Sequence, residues 1–180
     1  MAEKPILQLG NPILYKICEP VSRSELTTMA TVANDLHDTM MVFRSRHGVG
    51  RAIAAPQIGV LKRLLFMRVE KPVVMINPTL SNLSNDMVAL WDDCMSFPDL
   101  LVKVRRHSSC TITFRDLNWH EHTLDLEGDL SELLQHECDH LDGILAVSRA
   151  IDGTSFAYRE HLPKSEIQAY QTRISRGIRN

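Results

Sequence analysis

Residues 129–143 read DLSELLQHECDHLDG, and their spacing decides how the chain is organised. Leu130, Leu133, Leu134 and Leu141 recur at helical intervals; Asp129 stands where a cap belongs, with Glu132 three residues on, and Gly143 is a natural stop. On that helix His136 and His140 lie one turn apart, on a face shared with Leu133 and Glu137. Inward-facing imidazoles beside a carboxylate need partners, and a divalent metal supplies them better than an apolar core does. The pattern is short, yet at this chain's own His and Glu content it arises by chance only roughly 0.02 times. The competing reading, two solvated histidines, gives way to the apolar residues around them.

Outward from this helix the pattern is uneven. Ser22 and Glu25 form a capping box, and Leu26, Met29, Val32, Leu36, Met40 and Phe43 recur at helical spacing, predicting a helix over 23–45 that runs out at His47-Gly48-Val49-Gly50. From there to about residue 127 the chain reads as short strands: Leu64–Val69, Val73–Ile76, Met87–Leu90, Leu100–Val104, Thr111–Phe114 and His122–Leu126, punctuated by Gly, Pro, Asn and Asp. A last helix is expected over about 163–175, after Pro163. An N-terminal helix, several short and mostly antiparallel strands, a central helix carrying HExxH and a C-terminal helix make an α+β fold, expected as one domain over 1–180.

Composition excludes several functions. The 180 residues are 44% hydrophobic and 23% charged, the profile of a globular chain with a real core. A formal net charge of −2 argues against nucleic acid as a partner. The opening MAEKPILQLGNP lacks a basic stretch followed by an apolar core, and no apolar run is long enough to span a membrane, so a cytoplasmic protein is expected. Cys18, Cys94, Cys110 and Cys138 show no framework spacing and read as reduced thiols, with Cys138 turned from the histidine pair into the core.

The third metal ligand is open on spacing alone. In HExxHxxGxxH enzymes a third His follows the Gly, but Ala146 stands at that place. Thermolysin-like enzymes take a downstream Glu, for which Glu160 and Glu166 are candidates in the polar segment AYREHLPKSE. Cys94 is the upstream choice, at the end of an expected strand and before Pro98, flanked by Trp91 and Phe97.

Three segments taken together resemble a known family. Gly50-Arg51-Ala52-Ile53-Ala54-Ala55-Pro56-Gln57-Ile58-Gly59, Cys94-Met95-Ser96 and HECDHLDG are similar, in this order, to the motifs GxGLAAPQ, EGCLS and HExDH of peptide deformylases. The opening LQLGNPIL fits as well, so the resemblance runs from about residue 5 to 152. It implies hydrolysis of the formyl group from formyl-methionyl peptides of nascent proteins, releasing formate. It assigns Cys94, His136 and His140 to one divalent metal, with Fe²⁺ expected and Zn²⁺ or another divalent ion able to replace it. Glu137 would pass protons from water to the departing amine, while the Gln57 amide and the Met95 backbone N–H would hold the developing oxyanion. The partners implied are N-formylated nascent peptides, at the ribosome, met by a monomer.

Gly50, Arg51, Ala52, Asp92 and Asp93 are the expected substrate-binding residues, and four of these five mark where the chain departs from or varies on the motifs. Ala52 replaces the second Gly of the first motif, adding a methyl where substrate would pass, and Ile53 replaces Leu. Arg51 places a charge at the expected entrance. In the second motif Asp92-Asp93 replaces Glu-Gly. Asp92 keeps a carboxylate that could pair with Arg106. Asp93 loses the conformational freedom of glycine and brings a charge, which would favour substrates with a positive group and leaves open another N-acyl or peptide substrate.

Overall fold

The computed structural model describes residues 3–175, apart from the side chains of residues 167, 169, 171 and 173–175. In chain order the elements are α1 (Leu26–His47), β1 (Ala52–Ala54), β2 (Leu64–Arg68), β3 (Pro72–Ser81), β4 (Met87–Asp92), β5 (Leu100–His107), β6 (Ser109–Arg115), β7 (Glu121–Glu127), α2 (Gly128–Leu141), β8 (Phe156–Tyr158) and α3 (Lys164–Ser175). The strands pair antiparallel in two sheets, ordered β1-β2-β3-β6-β7 and β4-β5-β8. The architecture is α+β, as the sequence predicts.

Side-chain alternation explains how the larger sheet lies between two helices. Ala52, Ala54, Leu65 and Met67 pack with Leu133, Leu134, Cys138 and Leu141 of α2. The alternate residues Ile53, Leu64 and Phe66 pack on the other side with Met29, Leu36, Met40 and Phe43 of α1. Because both faces of β2 are covered, Leu64–Met67 is an unbroken apolar run rather than an alternating one. β3 runs on past the expected Ile76 to Ser81 by way of a register shift between Ile76 and Thr79. Asn77 takes φ 50 there, which its short polar side chain tolerates, and that side chain both donates to and accepts from the Val21 backbone at 2.8 Å.

Helix ends follow local chemistry, with one correction. The Ser22 backbone N–H and hydroxyl both donate to Glu25, at 2.8 and 2.9 Å, over a 3₁₀ turn at Arg23–Glu25 that leads into α1. α1 stops at Gly48, whose φ of 72 lets its N–H donate to the Arg44 carbonyl at 2.8 Å. α2, however, is not capped by Asp129. β7 passes straight into it, with Gly128 at φ 54 making the turn and Glu127 at the cap position, so Asp129 lies inside the first turn and Glu132 faces the interior.

From Ser131 to Leu141 every residue of α2 is buried. Gln135 accepts the His107 N–H at 3.0 Å and donates to the His107 carbonyl at 2.9 Å, docking α2 on the end of β5. Two strands lie where none was expected. β1 sits inside the GRAIAAPQ motif, and β8 in the segment read as a polar tail; each has three residues, too few for periodicity to declare itself. α3 closes the smaller sheet through Tyr170, which packs with Leu101 and Leu162, while the Trp91 indole N–H donates to Glu166.

Gly143 ends α2 for two reasons. Its φ is 71, and a Cβ there would meet the Tyr15 carbonyl oxygen at 2.6 Å. Gly143→Ala should therefore cost about 2 kcal/mol or more, read as a lower denaturant midpoint with an unchanged slope. A midpoint equal to wild type would show that the approach of the two segments is not rigid.

Candidate active site

α2 and the turn after β4 face each other across a cleft of about 470 Å³, measured with its open mouth, whose walls include Gln57, Cys94, His136 and Glu137. The i, i+4 spacing of His136 and His140 brings their Nε2 atoms to 3.1 Å of each other. Cys94 Sγ, from the chain leaving β4, lies 3.4 Å from His140 Nε2. The donor atoms of Cys94, His136 and His140 all fall within 4.8 Å of one another, and all three residues are buried.

The surroundings fit a cation. Asp92 accepts from His136 Nδ1 at 3.0 Å, which fixes the ring and leaves Nε2 as the lone-pair nitrogen turned to the cluster. Glu137 Oε2 is buried without a hydrogen-bond partner among the described residues, and Glu137 lines the same cleft as Cys94 and His136. One soft thiolate and two imidazoles suit iron or zinc. Glu160 and Glu166 do not compete as ligands: Glu160 is exposed beside His161, and Glu166 accepts from Trp91. The thermolysin-like alternative falls on that geometry.

A chain of charges supports the cluster. Arg106, buried on β5, donates to Asp92 at 2.9 Å and on its other side to Asp139 of α2, which also accepts from Arg149 at 2.7 Å. The expected Asp92–Arg106 pair is thus present, and the buried Asp92 carboxylate is engaged by His136 and Arg106. Burial works against Asp92 ionising, yet its pairing with His136 and Arg106 prevails and holds its carboxyl well below the usual range. Burial alone dominates at Glu137 and raises its carboxyl to about 7. Burial likewise pushes the Cys138 thiol up, in keeping with its packing against Leu133 and Leu134.

Gln57 is fixed from both ends. Its Oε1 accepts the Ala54 N–H at 2.9 Å, so its NH₂ turns toward Ser96 Oγ at 3.3 Å and Cys94 Sγ at 3.6 Å. No acceptor among the described residues takes the Met95 N–H. Gly50, Arg51 and Ala52 line the cleft beside β1. Gly50 has φ 130, and a Cβ there would press on Met95 Cε at 3.2 Å.

Two expectations change here. Arg51 is not a charge at the entrance: it is 7% exposed and paired with Glu132 at 3.2 Å. Asp93 lines the cleft but faces Arg159 at 3.7 Å and sits beside the Tyr170 hydroxyl, so its charge is answered from within the chain. It is not among the residues with positive φ, so the loss of glycine there imposes no strain. Sequence reasoning missed Glu132, Asp139 and Ser96 as members of the site. For Glu132 the signal was present, since it lies four residues before His136 and so on the same face.

Fold and cleft together define a hydrolase of the HExxH class, with a buried cysteine beside the two histidines of its helix. The model of the polypeptide deformylase family matches residues 3–155. A peptide deformylase of Leptospira biflexa is 36% identical over 176 residues, covering 90% of this chain and 96% of that protein, and one of Rhizobium meliloti is 33% identical over 99% and 100%. Among solved structures, the Thermotoga maritima peptide deformylase aligns with a TM-score of 0.77 at 27% identity, covering 84% of this chain and all of that one. The Acinetobacter baumannii class I type b enzyme bound to Met-Ala-Ser gives 0.75 at 30% identity, over 82% and 98%. The chain belongs to the polypeptide deformylase family, whose members remove the formyl group from nascent peptides.

If Asp92 sets the His136 ring, Asp92→Asn should weaken metal retention by about 10- to 100-fold in chelator competition while the protein stays folded. Retention equal to wild type would remove Asp92 from the support of the site.

Proposed function

We propose that Cys94, His136 and His140 hold one divalent cation, iron(II) in the native enzyme with zinc able to replace it, and that the substrate is the formyl-methionyl end of a nascent peptide. The observation that carries this reading is the convergence of the three donors beside a buried, partnerless Glu137 oxygen. The bound cation supplies Lewis acidity, which lowers the pKa of water and polarises a carbonyl. Glu137, raised to about 7 by burial, takes a proton from the attacking water near neutral pH and gives one to the departing amine. The Gln57 NH₂ and the Met95 N–H donate to the oxygen that gains charge as the formyl carbon becomes tetrahedral. Products are formate and a free amino terminus.

β1 is an edge of its sheet, so an extended peptide backbone can lie along Gly50–Ala52. Of the remaining expected contacts, Asp92 acts through His136 as a positioning residue, and Asp93 anchors the C-terminal segment through Arg159. Four unpaired cysteines suit a reducing compartment, and among the described residues no helix is long and apolar enough to cross a membrane. We therefore place the enzyme in the cytoplasm, as a monomer acting on chains leaving the ribosome.

Formate release from formyl-Met-Ala-Ser by anaerobically prepared, iron-loaded protein tests the reading. Glu137→Gln should retain the metal and lose about 10²- to 10⁴-fold in kcat, and Gln57→Leu about 10²- to 10³-fold. Equal rates for wild type and Glu137→Gln would refute the assignment.

A further inference from the structure

We propose that Arg51 and Glu132 form the wall that reads the first side chain of the formyl peptide, and that they select a side chain ending in an uncharged hydrogen-bond acceptor. The inference rests on the deformylase reading of the same cleft and goes on to the substrate class it prefers.

Arg51 and Glu132 are 7% and 4% exposed, meet at 3.2 Å and line the cleft that holds Cys94 and Glu137. Arg51 directly precedes β1, while Glu132 stands one turn before His136 on the same face of α2. One turn is a rise of about 6 Å. With a formyl carbon held at the Cys94–His136–His140 cluster, the first Cα is two bonds away, and a side chain of three or four heavy atoms spans the remaining distance. The ion pair is therefore within reach of that side chain's tip.

A buried ion pair is tolerated when the valences left over are also met. The guanidinium is a fork of N–H donors, and among the described residues its hydrogen-bonding partner is Glu132 alone. A purely aliphatic tip would cover the remaining donors and leave them dry, whereas a carbonyl or sulfoxide oxygen would accept from them. A carboxylate tip would meet Glu132 and Glu137, and an ammonium tip would meet Arg51. The neutral acceptor is the class that suits all three charges. The methionine thioether, a weak acceptor, falls between a carboxamide and a hydrocarbon.

The test compares wild-type kcat/KM on formyl-Gln-Ala-Ser, formyl-Met-Ala-Ser and formyl-norleucine-Ala-Ser, with calorimetric Kd values for the three deformylated peptides. Glutamine should exceed norleucine by about tenfold in both readouts, with methionine between them. Arg51→Leu combined with Glu132→Leu, which replaces the pair by apolar bulk, should invert the order. The wild-type series needs no variant to fold. Formate release with norleucine equal to or better than glutamine overturns the inference and leaves the deformylase reading intact. The expected order in Kd with no formate released from any peptide supports the inference and overturns that reading.

Discussion

The Arg106 guanidinium, buried between Asp92 and Asp139, is the constraint on which the rest of the site depends. It joins three elements of the fold: the end of β4, the end of β5 and the last turn of α2. A cation in that position cannot be left alone. Removing both carboxylates would strand that buried charge, at a cost of about 3–5 kcal/mol. Asp92 passes the constraint on to the His136 ring, and Cys94 follows Asp92 by two residues. Strand end and helix are thereby held opposite each other.

Much of this was legible in the sequence because it depends on short-range order. The i, i+4 histidines need only a helix, and the leucines of α2 announce one. α1 was equally plain from its periodicity and its Ser22–Glu25 cap. What could not be read was how far-apart charges pair. Arg51 looked like a surface charge because nothing near it in sequence answers it; its partner lies on α2, 81 residues away. Asp93 looked like a free carboxylate for the same reason, since Arg159 arrives only when β8 adds to β5. β1 and β8 escaped notice because three residues carry too little pattern, and their pairing comes from the sheet they join.

These pairings alter what the motif departures mean. The acidic residue in place of glycine before Cys94 seemed the change most able to alter catalysis, yet it is turned toward the C-terminal segment. The change with chemical consequence is Arg51, because it carries charge into the interior of the cleft and finds Glu132 there. Glu137 shares that environment, feeling the Arg51 charge in one direction and Glu132 and Asp92 in the other, while burial does most to set its proton affinity. Its Oε2 has no hydrogen-bond partner among the described residues.

The central claim is that the Cys94 thiolate and the two imidazoles converge on one ion. Cobalt(II) substitution tests it most directly, because a thiolate ligand gives a sulfur-to-cobalt charge-transfer band in the near ultraviolet. Wild-type protein should show that band, Glu137→Gln should keep it, and Cys94→Ser should lose it while cobalt stays bound to the imidazoles. An unchanged band in cobalt-loaded Cys94→Ser would contradict the account.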